Sequence, residues 1–213
     1  MSKRALEGKL AVVAGFTDPT AALEQYPTPP DLAAHIVHLA DLRGDVAGHT
    51  VVDLGAGTGM FALGAALRGA ARVVGLELDR DALAVARANE RRVGARTPIH
   101  WVNADATRAP LCFGEPDAAT PDAITVLMNP PFGAQSGNEH ADRRFLETVA
   151  SFADVSYSLH NAGSEEFVES FVDDAGGEVT DAFRATFALD RQFDHQTAER
   201  RELDAEAYRI EWD

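Results

Sequence analysis

The stretch Thr50-Val51-Val52-Asp53-Leu54-Gly55-Ala56-Gly57-Thr58-Gly59 passes from five mostly apolar residues directly into three alternate glycines. The first half reads as a buried strand over residues 50–54, the second as the turn into a helix that begins near Gly57. Glycine permits the positive φ of a sharp turn, and its missing Cβ lets a ligand lie against bare backbone near a helix N-terminus. By itself such a turn is only a tight turn. At the C-terminal edge of a first strand, where open α/β sheets bind ligands, it predicts a cofactor site built on Gly55, Gly57 and Gly59.

Downstream the pattern alternates: strand 72–76, helix 79–93, strands 99–102 and 123–128, helix 143–152, strand 155–159. Alternation of this kind predicts a parallel sheet covered on both faces, a doubly wound (Rossmann-like) α/β fold. After a helix over 164–174, the Gly176-Gly177 turn leads into alternating residues up to Leu189, and residues 205–212 alternate again; these read as two antiparallel strands. Residues 114–117 and 133–139 read as surface loops. Upstream, Leu6, Leu10 and Val13 share one face of a helix over residues 3–14, broken by Gly15. Pro27, Pro29 and Pro30 keep residues 24–30 extended, and Asp31 reads as the cap of the next helix. With no repeat or linker in 213 residues, one domain over 1–213 is expected, 1–30 being a helix and covering loop and 31–213 the core.

The formal net charge is −15 and the only lysines are Lys3 and Lys9, a balance that suggests a saline cytoplasm and a halophilic archaeon. An acidic chain is a poor electrostatic match for nucleic acid, but the screening length falls to about 3 Å at 1 M salt, and Arg143 and Arg144 are local candidates for phosphate contact. Cys112 is the single cysteine and the histidines lack ligand-like spacing, so neither a disulfide nor a structural metal is expected. Residues 1–7 lack an apolar signal core and residues 10–16 are too short to cross a bilayer, which predicts a cytoplasmic protein with no membrane attachment.

A dinucleotide fingerprint needs glycine at its first, third and sixth places; counted from Gly55 the sixth is Met60, which weakens a nicotinamide reading. Glu77, closing the second strand, is placed to accept from both hydroxyls of a ribose. Asp105 follows the third strand, where its carboxylate can accept from an adenine amino group or cap a helix, with Ala106 beside it. The deciding string is Asn129-Pro130-Pro131-Phe132, directly after the fourth strand. Two prolines remove two backbone donors, so the Pro130 carbonyl and the Asn129 side chain are both acceptors for one amino group. An amine conjugated to a ring is a poor nucleophile, and two acceptors on its hydrogens favour a pyramidal nitrogen aimed at a sulfonium methyl. Phe132 would stack on the target ring. These residues predict S-adenosyl-L-methionine as cofactor, held also by Asp53 and Asn129, with adenine N6 as the acceptor.

The chain resembles the small archaeal and eukaryotic methyltransferases that make N6-methyladenosine in small-subunit ribosomal RNA. The likeness lies in Leu23-Glu24-Gln25-Tyr26-Pro27-Thr28-Pro29-Pro30, the 53–59 turn, Asn129-Pro130-Pro131-Phe132-Gly133, His140-Ala141-Asp142-Arg143 and Tyr157-Ser158-Leu159-His160. The resemblance implies a seven-stranded sheet with an antiparallel last strand, and a lid in which Gln25, Tyr26 and Thr28 fold over the cofactor's methionine end. It also implies an RNA substrate and a small zinc-binding activator protein pairing with edge strand 99–102, beside Trp101. The family's tail carries a Phe-His step before basic residues; here it reads Phe193-Asp194-His195, followed only by Arg200 and Arg201. Methylation of a glutamine amide on a translation factor uses the same grip, although the resembling enzymes carry tyrosine where Phe132 stands. DNA adenine methylation and a non-catalytic role in ribosome assembly are the other readings.

Overall fold

The structure, a computed structural model, describes residues 1–113, 123–131, 141–190 and 200–213. Phe132, the loops expected at 114–117 and 133–139, His140 and Phe193-Asp194-His195 lie outside the described residues. Seven strands, β1 (Thr50–Leu54), β2 (Arg72–Glu77), β3 (Ile99–Asn103), β4 (Ile124–Met128), β5 (Val155–Asn161), β6 (Gly177–Asp190) and β7 (Arg200–Trp212), form one sheet in the order β3-β2-β1-β4-β5-β7-β6. The first five run parallel, and β7 inserts antiparallel between β5 and β6. The seven-stranded sheet with its antiparallel last strand is the expected one.

β1 and β4 are buried along their whole length, which is why they read as continuous apolar runs and not as alternating ones. Alternate residues still serve different layers. Val51, Val73 and Leu127 pack with Leu6, Leu10, Ile36, Val37 and Leu63, from α1 (Lys3–Leu10), α2 (Pro30–Arg43) and α3 (Met60–Arg68). Val52, Val74 and Val126 pack with Leu146, Phe171 and Tyr208 on the side of α5 (Ala141–Ala150) and α6 (Glu165–Asp174). Each fully buried aliphatic side chain contributes about 1.5–3 kcal/mol relative to exposure. Strand order reverses between β1 and β4, and the crevice at their C-terminal ends is the ligand position of such sheets.

Several helix starts and ends differ from expectation, α5 among them, which runs Ala141–Ala150 in place of 143–152. α1 stops at Leu10, because the Asn89 side chain takes both backbone groups of Ala14 (Ala14 N to Oδ1 2.9 Å, Nδ2 to Ala14 O 3.0 Å) and draws the chain off the helix. Asp31 is not the cap of α2. The helix begins one residue earlier, at Pro30, whose missing N–H and fixed φ suit the first helical position, and Pro29 caps it without a side-chain bond. α3 begins at Met60 and not near Gly57, since the three glycines all adopt left-handed φ. α4 (Arg80–Val93) starts as read, with the Asp79 side chain accepting from Asp81 N.

β3 ends the sheet, but Trp101 does not project from that edge. Its cross-strand partner in β2 is Gly75, and the indole lies over it, with Nε1 donating to Glu90 Oε2 at 2.7 Å. A Cβ built on Gly75 would sit 2.5 Å from the ring, and one on Gly59 would sit 2.7 Å from it. The ring therefore fills the space beneath the glycine turn. Among the described residues, no helix is long and apolar enough to cross a membrane, and no three His, Cys, Asp or Glu side chains could hold a metal ion. Gly75→Ala is expected to push the indole aside and lower unfolding free energy by about 1–3 kcal/mol in a urea titration; an unchanged midpoint would show that the ring moves freely.

Candidate active site

The turn after β1 is closed by backbone first. Gly55 N and Ala56 N both donate to Leu76 O (3.0 and 2.7 Å), and Gly59 N donates to Ala56 O (2.8 Å). Two carboxylates then grip it from either side. Asp53, only 2% exposed, accepts from Ala62 N in the first turn of α3 at 2.8 Å, and Glu77 Oε2 accepts from Gly57 N at 2.7 Å while Oε1 takes Asp79 N at 2.8 Å. The space a Cβ would need at each glycine is filled by an aromatic ring: Phe145 at 3.1 Å for Gly55, Phe16 at 3.0 Å for Gly57, Trp101 for Gly59. Glycine here serves both the φ and the approach of these rings.

A cleft of about 270 Å³ opens beside the turn. Residues 15–29 form its outer wall as a strap. Asn89, fully buried in α4, ties the strap at Ala14 to Thr58 O of the turn (Nδ2 to O, 3.0 Å). Gln25 ties it further along, its Oε1 accepting from Thr20 N and its Nε2 donating to Asp79 Oδ2, both at 2.7 Å. Thr28 meets the opposite wall: its hydroxyl oxygen accepts from Asn129 Nδ2 at 3.1 Å. With that amide nitrogen committed, Asn129 Oδ1 is buried and has no hydrogen-bond partner among the described residues. An orphaned acceptor of this kind costs about 1–3 kcal/mol unless something else supplies a proton to it.

Of the residues singled out from sequence, Gln25, Tyr26, Thr28, Asp53, Gly55, Gly57, Glu77, Asp105, Ala106, Asn129 and Pro131 line this one cleft, while Pro130 is buried and Gly59 packs on Trp101. Asp105 Oδ1 takes Thr107 N and Oγ1, so the residue does cap the following 3-10 turn, and Oδ2 is left over. Sequence reasoning missed Phe16, Phe145 and Asn89. An asparagine in the middle of a helix is unfavourable unless its amide is used, and that was the available signal for Asn89.

The donor set fits a nucleoside with a cationic end. The carboxylates of Glu77 and Asp105 line the cleft, aromatic rings back its turn, and the Asp53 carboxyl is buried at its base. Residues 51–134 match the family model described as a methyltransferase domain. Fold, glycine turn, strand-end acid and Asn-Pro-Pro string together define an S-adenosylmethionine-dependent methyltransferase.

Three relatives narrow this. The rRNA N(6)-adenosine-methyltransferase Mettl5 of Drosophila melanogaster is 33% identical over 98% of this chain and 95% of its own. The METTL5 protein of Danio rerio is 34% identical over 82% of this chain and 81% of its own. The crystal structure of a Pyrococcus horikoshii protein proposed to methylate RNA superposes with a TM-score of 0.83 at 32% identity, covering 99% of both chains. The chain belongs to the family of rRNA N6-adenosine methyltransferases.

Burial pushes the Asp53 carboxyl from its ordinary 3.8 up to about 7, with the charge of Glu77 adding to the shift and the Ala62 N–H opposing it. Burial raises Glu77 as well. Because the folded state holds the Asp53 proton more tightly than the unfolded chain, stability from this group is complete below about pH 4 and is lost as pH rises through about 7. Asp53→Asn is therefore expected to flatten the fall in urea-unfolding free energy between about pH 5 and 7.5; a variant that falls as steeply as the wild type would assign the dependence to other groups.

Proposed function

We propose that this chain transfers a methyl group to N6 of an unpaired adenosine in ribosomal RNA, in the small subunit. The observation that carries the reading is the buried, unpartnered Oδ1 of Asn129 in the wall of a cofactor-sized cleft. A neutral acceptor held in place is what an exocyclic amine requires, since it must lose ring conjugation before it can attack. S-adenosylmethionine supplies a methyl carbon on a positive sulfur. Asn129 Oδ1 accepts one amino hydrogen and the Pro130 carbonyl the other, so the nitrogen lone pair points away from both. Thr28 accepts from the Nδ2 end of the Asn129 amide, which leaves Oδ1 toward the cleft. Phe132 stacks on the base, replacing the neighbours the base loses on leaving its strand. The proton leaves for water after transfer, when the alkylated nitrogen is acidic.

Glu77 keeps free lone pairs for the ribose hydroxyls, and Asp105 Oδ2 with the Ala106 backbone receives the adenine of the cofactor. Gln25, Tyr26 and Thr28 close over its methionine end. A cationic cofactor above Asp53 favours the ionised carboxylate, so binding releases a proton and strengthens as pH rises. Residues 1–213 act as one domain. The charge balance, −15 with two lysines, supports a halophilic, cytoplasmic protein. A small zinc-binding activator would pair with the backbone edge of β3, because the Trp101 ring is turned inward and leaves that edge clear.

Asn129→Ala is expected to lower kcat on an adenosine-containing RNA about 10²–10³-fold. Mass spectrometry of ribosomal RNA nucleosides from a strain lacking the protein should show loss of N6-methyladenosine; an unchanged level refutes the RNA assignment.

A further inference from the structure

A second, more open trough of about 480 Å³ adjoins the cofactor cleft, sharing Asp105, Thr107 and Arg144 with it. It runs between the 3-10 turn Ala106–Arg108 and α5. We propose that this trough carries the sugar–phosphate backbone of the substrate RNA next to the target nucleotide, with Arg108 and Arg144 on its phosphodiesters. The proposal rests on the adenosine-methylating reading above and adds the path of the strand.

The charges decide it. Four ionised side chains line the trough: Asp105, Arg108, Arg144 and Glu147. Glu147 is neutralised from outside, by Arg143 Nε at 3.2 Å. Arg143 is itself turned toward α6, its guanidinium 5.3 Å from the centre of the Phe171 ring, and does not line the trough. Asp105 has one oxygen committed to Thr107. Arg108 and Arg144 are exposed, and among the described residues neither guanidinium makes a hydrogen bond or ion pair.

Two unpaired arginines side by side are conspicuous in a chain with 34 acidic and 19 basic residues. The hydroxyls of Thr107, Thr148 and Ser151 donate to their own neighbourhood, to Asp105, Arg144 O and Thr148 O. The guanidinium groups are thus the donors left facing out. An adenosine whose base enters the cleft leaves its ribose and flanking phosphates at the rim, and Arg144 stands on the rim common to both cavities. Arginine presents a planar fork that matches a phosphate, and it stays charged under all conditions.

The test compares Arg108→Gln, Arg144→Gln and, as a control, Arg143→Gln with the wild type, in methyl transfer to a single-stranded oligoribonucleotide containing one adenosine. Arg108→Gln and Arg144→Gln should each raise KM for the RNA about three- to tenfold and reduce the slope of log kcat/KM against log salt by about one. Arg143→Gln, which releases the Glu147 charge but removes no trough guanidinium, should move both less than either trough variant. Oligonucleotides with a neutral methylphosphonate beside the adenosine should lose affinity for the wild type and lose little more for Arg108→Gln, which separates a phosphate contact from a structural effect. Wild-type KM and salt slope in Arg108→Gln would overturn the trough and leave the adenine assignment standing. A wild-type enzyme that methylates no RNA would overturn both.

Discussion

The site depends on two carboxylates held under one loop. Asp53 and Glu77 stand at the ends of adjacent strands; Glu77 takes a backbone N–H from the turn after β1, at Gly57, and Asp53 one from the first turn of α3, at Ala62. Their side chains do what the left-handed glycines cannot, since glycine permits the turn but holds nothing in place. Both groups are pushed toward neutrality by burial, and that is the energetic tension in the design. A site for a cation is built by placing acids where water is scarce, and those acids bear a desolvation cost.

Around that centre the chain is assembled by polar contacts between distant segments. Asn89 joins residues 75 positions apart in sequence, Gln25 and Asp79 are 54 apart, and Thr28 and Asn129 are 101 apart. A separate buried group at the far end of the sheet performs the same service for α2. Asp45, just past that helix, accepts from the Tyr157 hydroxyl at 2.5 Å and from Arg209 Nε at 2.9 Å, while its own carbonyl takes the Thr125 hydroxyl. The helix that leads out of the strap is thereby locked to β4, β5 and β7.

Much of this was legible because it is periodic or local. The five parallel strands announced themselves as apolar runs, the two last strands as alternation, and the strand-end position of Glu77 followed from counting. Residues 23–30 are legible as a strap only through their resemblance to a family segment, since they carry no periodicity. What could not be read depends on distance in space. Nothing near Trp101 in sequence says that its ring covers Gly75 instead of leaving the sheet edge, because that follows from a cross-strand pairing. Arg143 and Arg144 are adjacent and alike on paper, yet a helical turn sends one to Glu147 and Phe171 and the other to the cleft. Asp31 lost its role as cap to Pro29, because Pro30 suits the first helical position and two local preferences competed for one helix start.

The contact between Thr28 and Asn129 has a consequence for the order of events. A primary amide looks nearly the same from either end, and rotation by half a turn would present a donor where an acceptor is wanted. Here the nitrogen end of that amide is held by a hydroxyl carried on a different segment of the chain. The wall and residue 129 therefore form one mechanical unit: displacing residues 15–29 would leave the sheet standing while removing the contact that holds the Asn129 side chain.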